Sequence, residues 1–108
     1  MDRREHDALK IDGVEWIVRH PGGAVGFHEY HGHCFVHCRV WGEWGMDGRR
    51  EAFALWPVVI DEARSRGYDR LYAAQDLSDR KLRVFHRLFG FVKEEFRNAT
   101  HALMVQEI

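Results

Sequence analysis

Residues 24–41 read AVGFHEYHGHCFVHCRVW, and their pattern decides what kind of domain this chain forms. Two runs of strand character, Ala24 to Tyr30 and His33 to Trp41, flank the dipeptide His31-Gly32. Strand-like runs separated by two residues ending in Gly predict a β-hairpin. With that loop, Tyr30 faces His33, Glu29 faces Cys34, His28 faces Phe35 and Phe27 faces Val36. Successive side chains on a strand point to opposite faces, so this register sorts the hairpin into two unlike surfaces. One carries Val25, Phe27, Cys34, Val36, Cys38 and Val40, with Glu29 near the turn, and is the core face. The other carries His28, Tyr30, His33, Phe35, His37 and Arg39. Such a polar-aromatic surface must be wet, functional or an interface.

Before the hairpin, Val14 to Arg19 reads as a strand ended by the turn signal His20-Pro21-Gly22-Gly23. After it, the glycine-bearing stretch from Trp41 to Arg50 leads into a helix from about Arg49 to Arg66. Ala52, Leu55, Trp56, Val59, Ile60 and Ala63 recur there at helical spacing. Pro57 is expected to kink or restart that helix, and Gly67 to end it. Tyr68 to Ala74 reads as a strand. Ser78 or Asp79 caps a second helix with Leu82, Phe85, Leu88 and Phe89 on one face, closed by Gly90. Phe91 to Phe96 and Thr100 to Gln106 are two last strands. The order β-β-β-α-β-α-β-β predicts a mixed-sheet α/β domain, and the segment from His33 to Ala74 a right-handed crossover between parallel neighbours.

Length and composition agree with one such domain. The chain has 108 residues, 45% of them apolar, with 4 Trp, 7 Phe and 3 Tyr, which excludes a disordered chain. Residues 1–12 read as an arm and 13–108 as the domain. Lys and Arg number 16 against 17 Asp and Glu, for a net charge of −1. That balance argues against a nucleic-acid or polybasic membrane partner, both of which need an excess of cations. No apolar run is long enough to span a bilayer, and the opening residues do not read as a signal peptide. The expected setting is intracellular. Cys34 and Cys38 lie four apart on one strand, roughly 13 Å at ~3.3 Å per residue. That is too far for a disulfide, so both are expected as buried reduced thiols.

The element order and three local signatures resemble the GNAT superfamily of N-acetyltransferases. Asp79 to Phe91 (DRKLRVFHRLFGF) looks like that family's helix before its penultimate strand. Ala63 to Leu71 (ARSRGYDRL) looks like the end of its long helix and the strand that follows. Ala24-Val25-Gly26-Phe27 and the partner strand look like its third and fourth strands. The resemblance covers roughly residues 13–108 and implies a GNAT-like mixed central sheet with helices packed on it. Short forms with a His-rich strand before the helix look like ones encoded by tailed bacteriophages. The chain departs from the family in being N-terminally minimal, because the residues before Val14 do not hold the family's opening strand and two helices.

The family's pyrophosphate loop falls on Asp47-Gly48-Arg49-Arg50-Glu51-Ala52. Only Ala52 fits the pattern, Gly48 matches a frequent extra glycine, and Asp47 and Arg50 replace the signature Arg/Gln and the first Gly. A helix N-terminus offers unpaired N–H groups to a diphosphate, and Asp47 opposes that charge. Arg49 and Arg50 could bind phosphate directly. Two readings stand: a working coenzyme A cradle, or a plain helix start with an Asp N-cap and solvated arginines.

The resemblance implies acetyl-CoA as cofactor, with the acetyl carbonyl and pantetheine held by the backbone of Arg39, Val40 and Trp41, and cofactor contacts from Gly48, Arg49, Arg50, Ala52 and Asp79. Asp79 also reads as a helix cap. No carboxylate sits on the strand where relatives keep their base, so His37 is the nearest titratable substitute, with Glu29 and His33 behind it. The family's acidic Tyr falls at His86, which reads either as the thiolate's acid or as the polar neighbour of Phe85. The histidines and cysteines invite a metal, but strand geometry leaves two diagonal histidine neighbours at most, so no metal site is expected. The implied activity is acetyl transfer from acetyl-CoA to an amine. The alternative is a non-catalytic GNAT-like module, such as a virion component, that has lost the cofactor. Both readings imply self-association or docking into a larger assembly, because the absent helices leave a sheet face poorly covered.

Overall fold

The computed structural model describes residues 10–20, 23–40 and 46–108. Its elements are β1 (Glu15–His20), β2 (Gly23–Tyr30), β3 (His33–Val40), α1 (Met46–Ser65), β4 (Arg70–Asp76), α2 (Arg80–Leu88), β5 (Lys93–Arg97) and β6 (His101–Glu107). They make an α/β fold around a six-stranded mixed sheet in the order β1-β2-β3-β4-β6-β5. β3 and β4 are parallel neighbours, as the strand–helix–strand reading requires, and the other pairs are antiparallel.

The hairpin has the register read from its loop: Tyr30 opposite His33, Glu29 opposite Cys34, His28 opposite Phe35 and Phe27 opposite Val36. His31 (φ 49°) and Gly32 (φ 78°) both take positive φ. Two such residues in a two-residue loop give the turn whose twist matches that of paired strands. The helices end alike. Tyr68 N–H donates to the Ala63 carbonyl around Gly67, and Phe91 N–H to the His86 carbonyl around Gly90. Gly67 and Gly90 have φ of 89° and 90°, the left-handed cap that turns the chain back toward the sheet.

β4 and β5 each start two residues later than the sequence reading, and α1 differs from it in two ways. α1 starts at Met46, not near Arg49, so Gly48, Arg49, Arg50 and Ala52 belong to its first two turns. It also runs through Pro57 without interruption. Pro57 and Phe53 are both exposed, so the Phe53 carbonyl that Pro57 leaves unbonded can take water instead.

α1 and α2 share one side of the sheet, where Phe53 stacks on Phe89 with ring centres 4.8 Å apart. Beneath them Val18, Phe27, Cys34, Val36, Leu71 and Ala73 of the sheet pack against Trp56, Val59, Ala63, Phe89 and Phe91. Asp79 caps α2 by accepting the Leu82 N–H at 3.0 Å. Among the described residues no helix covers the opposite side, and Tyr30 there is 55% exposed.

Candidate functional site

Register and alternation put His28, Tyr30, Phe35, His37 and Arg39 on that open side, joined by Tyr72 and Ala74 of β4. The parallel strands β3 and β4 register at one pair among the described residues, Phe35 opposite Tyr72. Toward their C-terminal ends, His37 is level with Ala74, and Arg39 with Asp76, without a further registered pair. Here a groove of about 400 Å³ is lined by His28, Tyr30, Phe35, Val36, His37 and Ala74. Its rings form a connected set: His28 lies 6.0 Å from both Tyr30 and His37 between centres, and Phe35 lies 5.6 Å from Tyr72.

His37 is half-buried in this groove. Burial, then the positive charges of Arg39 and His28, push its pKa below the ordinary imidazole value. It is therefore neutral near pH 7, the form that accepts a proton. Asp76, level with Arg39 across the β3–β4 seam, turns one oxygen to Ser78, which donates its amide at 2.9 Å and its hydroxyl at 2.7 Å. Those bonds hold the Asp76 carboxyl below the usual carboxylate range.

The other two expected catalytic side chains are not brought to His37. His86 lies on the helix side, 5% exposed, with Nδ1 3.2 Å from Gln75 Oε1. Burial lowers its pKa to about 4, with Asp79 a smaller opposing influence. A group held neutral in this way is a poor proton donor at neutral pH. The environment suits the polar neighbour of Phe85, tied to the sheet by Gln75, rather than an acid. Glu29 stands near the hairpin turn, opposite Cys34, ~10 Å down β3 from His37. Arg66 bonds Glu15, Glu29 at 3.4 Å and Glu62 at 3.0 Å, and its guanidinium lies 5.4 Å over the Phe27 ring. The Tyr68 hydroxyl is tied to Glu29 as well, which raises its pKa. Glu29 is thus one arm of a clasp joining β1, β2 and the end of α1.

Of the expected cofactor residues, Trp41 and the Arg49 side chain lie outside what is described, as do the Val40 and Asp47 side chains. Arg50 is exposed in the first turn of α1, Ala52 is half-buried, and Asp79 caps α2. Between the end of β3 and the two helices lies an apolar cleft of about 20 Å³, lined among others by Val25, Cys38, Leu55, Trp56 and Phe85. Trp56 Nε1 is buried without a hydrogen-bond partner among the described residues. An unpaired buried donor is costly and wants an acceptor. An amide-bearing pantetheine arm matches that donor and the apolar walls in kind. In size the cleft holds about one water, so such an arm does not fit it.

Cys34 and Cys38 are free, and burial pushes both thiols up to about 12. Among the described residues no three His, Cys, Asp or Glu side chains gather as a metal site requires. No described helix is long and apolar enough to cross a membrane. Sequence reasoning missed Ala74, Gln75 and the unpaired Trp56 indole. Alternation along Leu71, Ala73 and Gln75 signals the second, and parallel register with His37 the first. Nothing in the sequence marks an indole N–H that finds no acceptor. Set against known protein families, curated proteins and solved structures, the chain matches none.

Proposed function

We propose that this chain is a GNAT-like N-acyltransferase that passes an acetyl group from acetyl-CoA to an amine entering from the open side of the sheet. The observation that carries the reading is the groove on the open side, lined by His28, His37 and Ala74 where β3 and β4 have Phe35 and Tyr72 as their one registered pair among the described residues. The element order and the parallel central pair are in keeping with that superfamily. Acetyl-CoA, when bound, supplies an activated acyl group on a thioester. The main chain of β3 from Arg39 onward would hold the acyl carbonyl, and Arg50 in the first turns of α1 would meet phosphate. His37 Nδ1 or Nε2 takes the proton of the attacking amine, a role that needs an imidazole unprotonated at working pH.

Isothermal titration of the chain with coenzyme A, followed by acetyl transfer assayed as free thiol release, tests this. Binding is expected, with its loss on replacing Arg49 and Arg50. His37→Gln is expected to slow transfer by roughly 10²-fold or more while leaving acetyl-CoA affinity intact. No binding at millimolar coenzyme A overturns the reading. A second reading, a module that docks into an assembly without catalysis, draws on the exposed rings of Tyr30 (55%) and Phe96 (60%). A chain that stays monomeric by light scattering, at concentrations where it also turns over acetyl-CoA, rejects it.

A further inference from the structure

We infer that the outer face of α2 is a docking surface for an acidic amphipathic helix of a partner protein, with Arg83 and Arg87 meeting its carboxylates and Val84 and Leu88 its aliphatic side chains. The surface stands on charge and packing alone and is independent of the acyltransfer reading.

Charge sets the first requirement. The whole chain carries a net charge of −1, yet the 9 residues of α2 include Arg80, Lys81, Arg83 and Arg87 and no acidic residue. For the helix by itself that arrangement is unfavourable. Arg80 and Lys81 stand in the first turn, at the positive end of the helix dipole, where an acidic residue is favoured. Arg80 with Arg83, and Arg83 with Arg87, are like-charge neighbours about one turn apart, which repel. The rest of the fold does not answer these charges. Arg80, Arg83 and Arg87 are exposed, and none makes an ion pair among the described residues. Asp79, adjacent in the chain, turns its carboxylate to the Leu82 N–H as the cap. An anionic partner relieves the repulsion that the fold leaves standing.

Packing narrows the kind of partner. The apolar stripe of α2 is committed to the core through Phe89 and Phe85. Val84 and Leu88 nonetheless remain 52% and 42% exposed. Residues four apart on a helix are neighbours ~6 Å along its axis. Arg80, Val84 and Leu88 therefore form one row, and Arg83 and Arg87 the row beside it. A second helix laid along α2 repeats its side chains at the same interval. An aliphatic row with an acidic row beside it thus matches these two turn for turn. Other anions fit less well. A phosphate backbone offers nothing to two aliphatic side chains set among the cations, and the face carries no aromatic ring for a base to stack on. A lipid surface takes up a helix by a broad apolar face, and that of α2 is already buried.

A fluorescein-labelled synthetic helix of roughly 20 residues, with Leu along one row and Glu along the next, tests the surface by anisotropy against the full chain. Binding is expected. Arg83→Glu/Arg87→Glu is expected to weaken it roughly tenfold or more and to bind instead the same peptide with Lys for Glu, which also shows that the variant is folded. Arg83→Gln/Arg87→Gln, which adds no new charge, and Val84→Ser/Leu88→Ser are each expected to weaken binding of the Glu peptide. Arg80→Glu is expected to raise the thermal midpoint, because it places an acid in the first turn, and yet to weaken the peptide. No binding of the Glu peptide, or undiminished binding by any of these variants, overturns the inference. So does tighter binding of a duplex oligonucleotide or of phosphatidylserine vesicles than of the Glu peptide.

Discussion

The buried His86–Gln75 pair makes stability depend on pH in a way that one substitution isolates. His86 titrates near 6.5 when unfolded and at about 4 when folded, because its site beneath α2 excludes water. Above pH 6.5 both states leave it neutral and it adds no pH dependence. As pH falls from 6.5 toward 4, the unfolded chain takes up a proton that the folded chain refuses, so stability is lost across that window and levels off below it. At 1.36 kcal/mol for each unit of separation, the full loss is about 3 kcal/mol. His86→Gln keeps a polar group beside Gln75 but cannot titrate. Urea unfolding of both proteins, at about pH 7.5 and about pH 4.5, reads the difference directly. The other histidines and the carboxylates are common to both and cancel. Relative to the variant, the wild-type midpoint is expected to fall by about 1 M urea or more between those conditions. Parallel pH profiles, or a His86 imidazole that titrates at its ordinary value in the folded protein, would refute the reasoning.

Three further outcomes follow from local geometry. A Cβ on Gly26 would lie 2.6 Å from Val14 Cγ1, 2.8 Å from Trp16 Cε3 and 2.9 Å from the Glu15 carbonyl oxygen. Relief requires β1 itself to move, so Gly26→Ala should cost about 1–3 kcal/mol, and an unchanged thermal midpoint counts against that packing. Asp79→Ala should cost about 1 kcal/mol through the lost cap on Leu82 N–H, with Asp79→Asn recovering most of it; equal melting of all three proteins counts against the cap. With both thiols pushed up to about 12, Cys34 and Cys38 should resist an aromatic disulfide reagent at mildly alkaline pH while folded and react once denatured. Rapid labelling of the native chain would show that at least one is accessible.

The hairpin was legible because its loop is only two residues long and one of them is Gly, which leaves a single register and hence a single sorting of faces. Gly67 and Gly90 marked the helix ends for an equally local reason, the left-handed cap. Pro57 misled because a proline's cost depends on whether water can reach the carbonyl it strands, and that depends on which side of α1 it occupies. The same distinction separates the site residues. His37 was found by alternation along one strand, a local property. Glu29 sits on that hairpin too, but its use is decided by Arg66 and Tyr68, which come from a different part of the chain. His86 was read from the family's helix, and only burial beside Gln75 reveals that an imidazolium is disfavoured there.

That β3 and β4 have one registered pair among the described residues has a mechanical consequence. The strands on either side form two antiparallel blocks, β1-β2-β3 and β4-β6-β5, each laced internally by long ladders, with an irregularity at Trp16/Val18 in one and at Glu94/Phe96 in the other. Along their seam Phe35 and Tyr72 are the one registered pair among the described residues, and the long helix α1 connects the two blocks in the chain. A rotation of one block against the other would therefore pivot about that point while disturbing few backbone bonds. It would widen or narrow the space beside His37 much as a pair of jaws opens from its rivet.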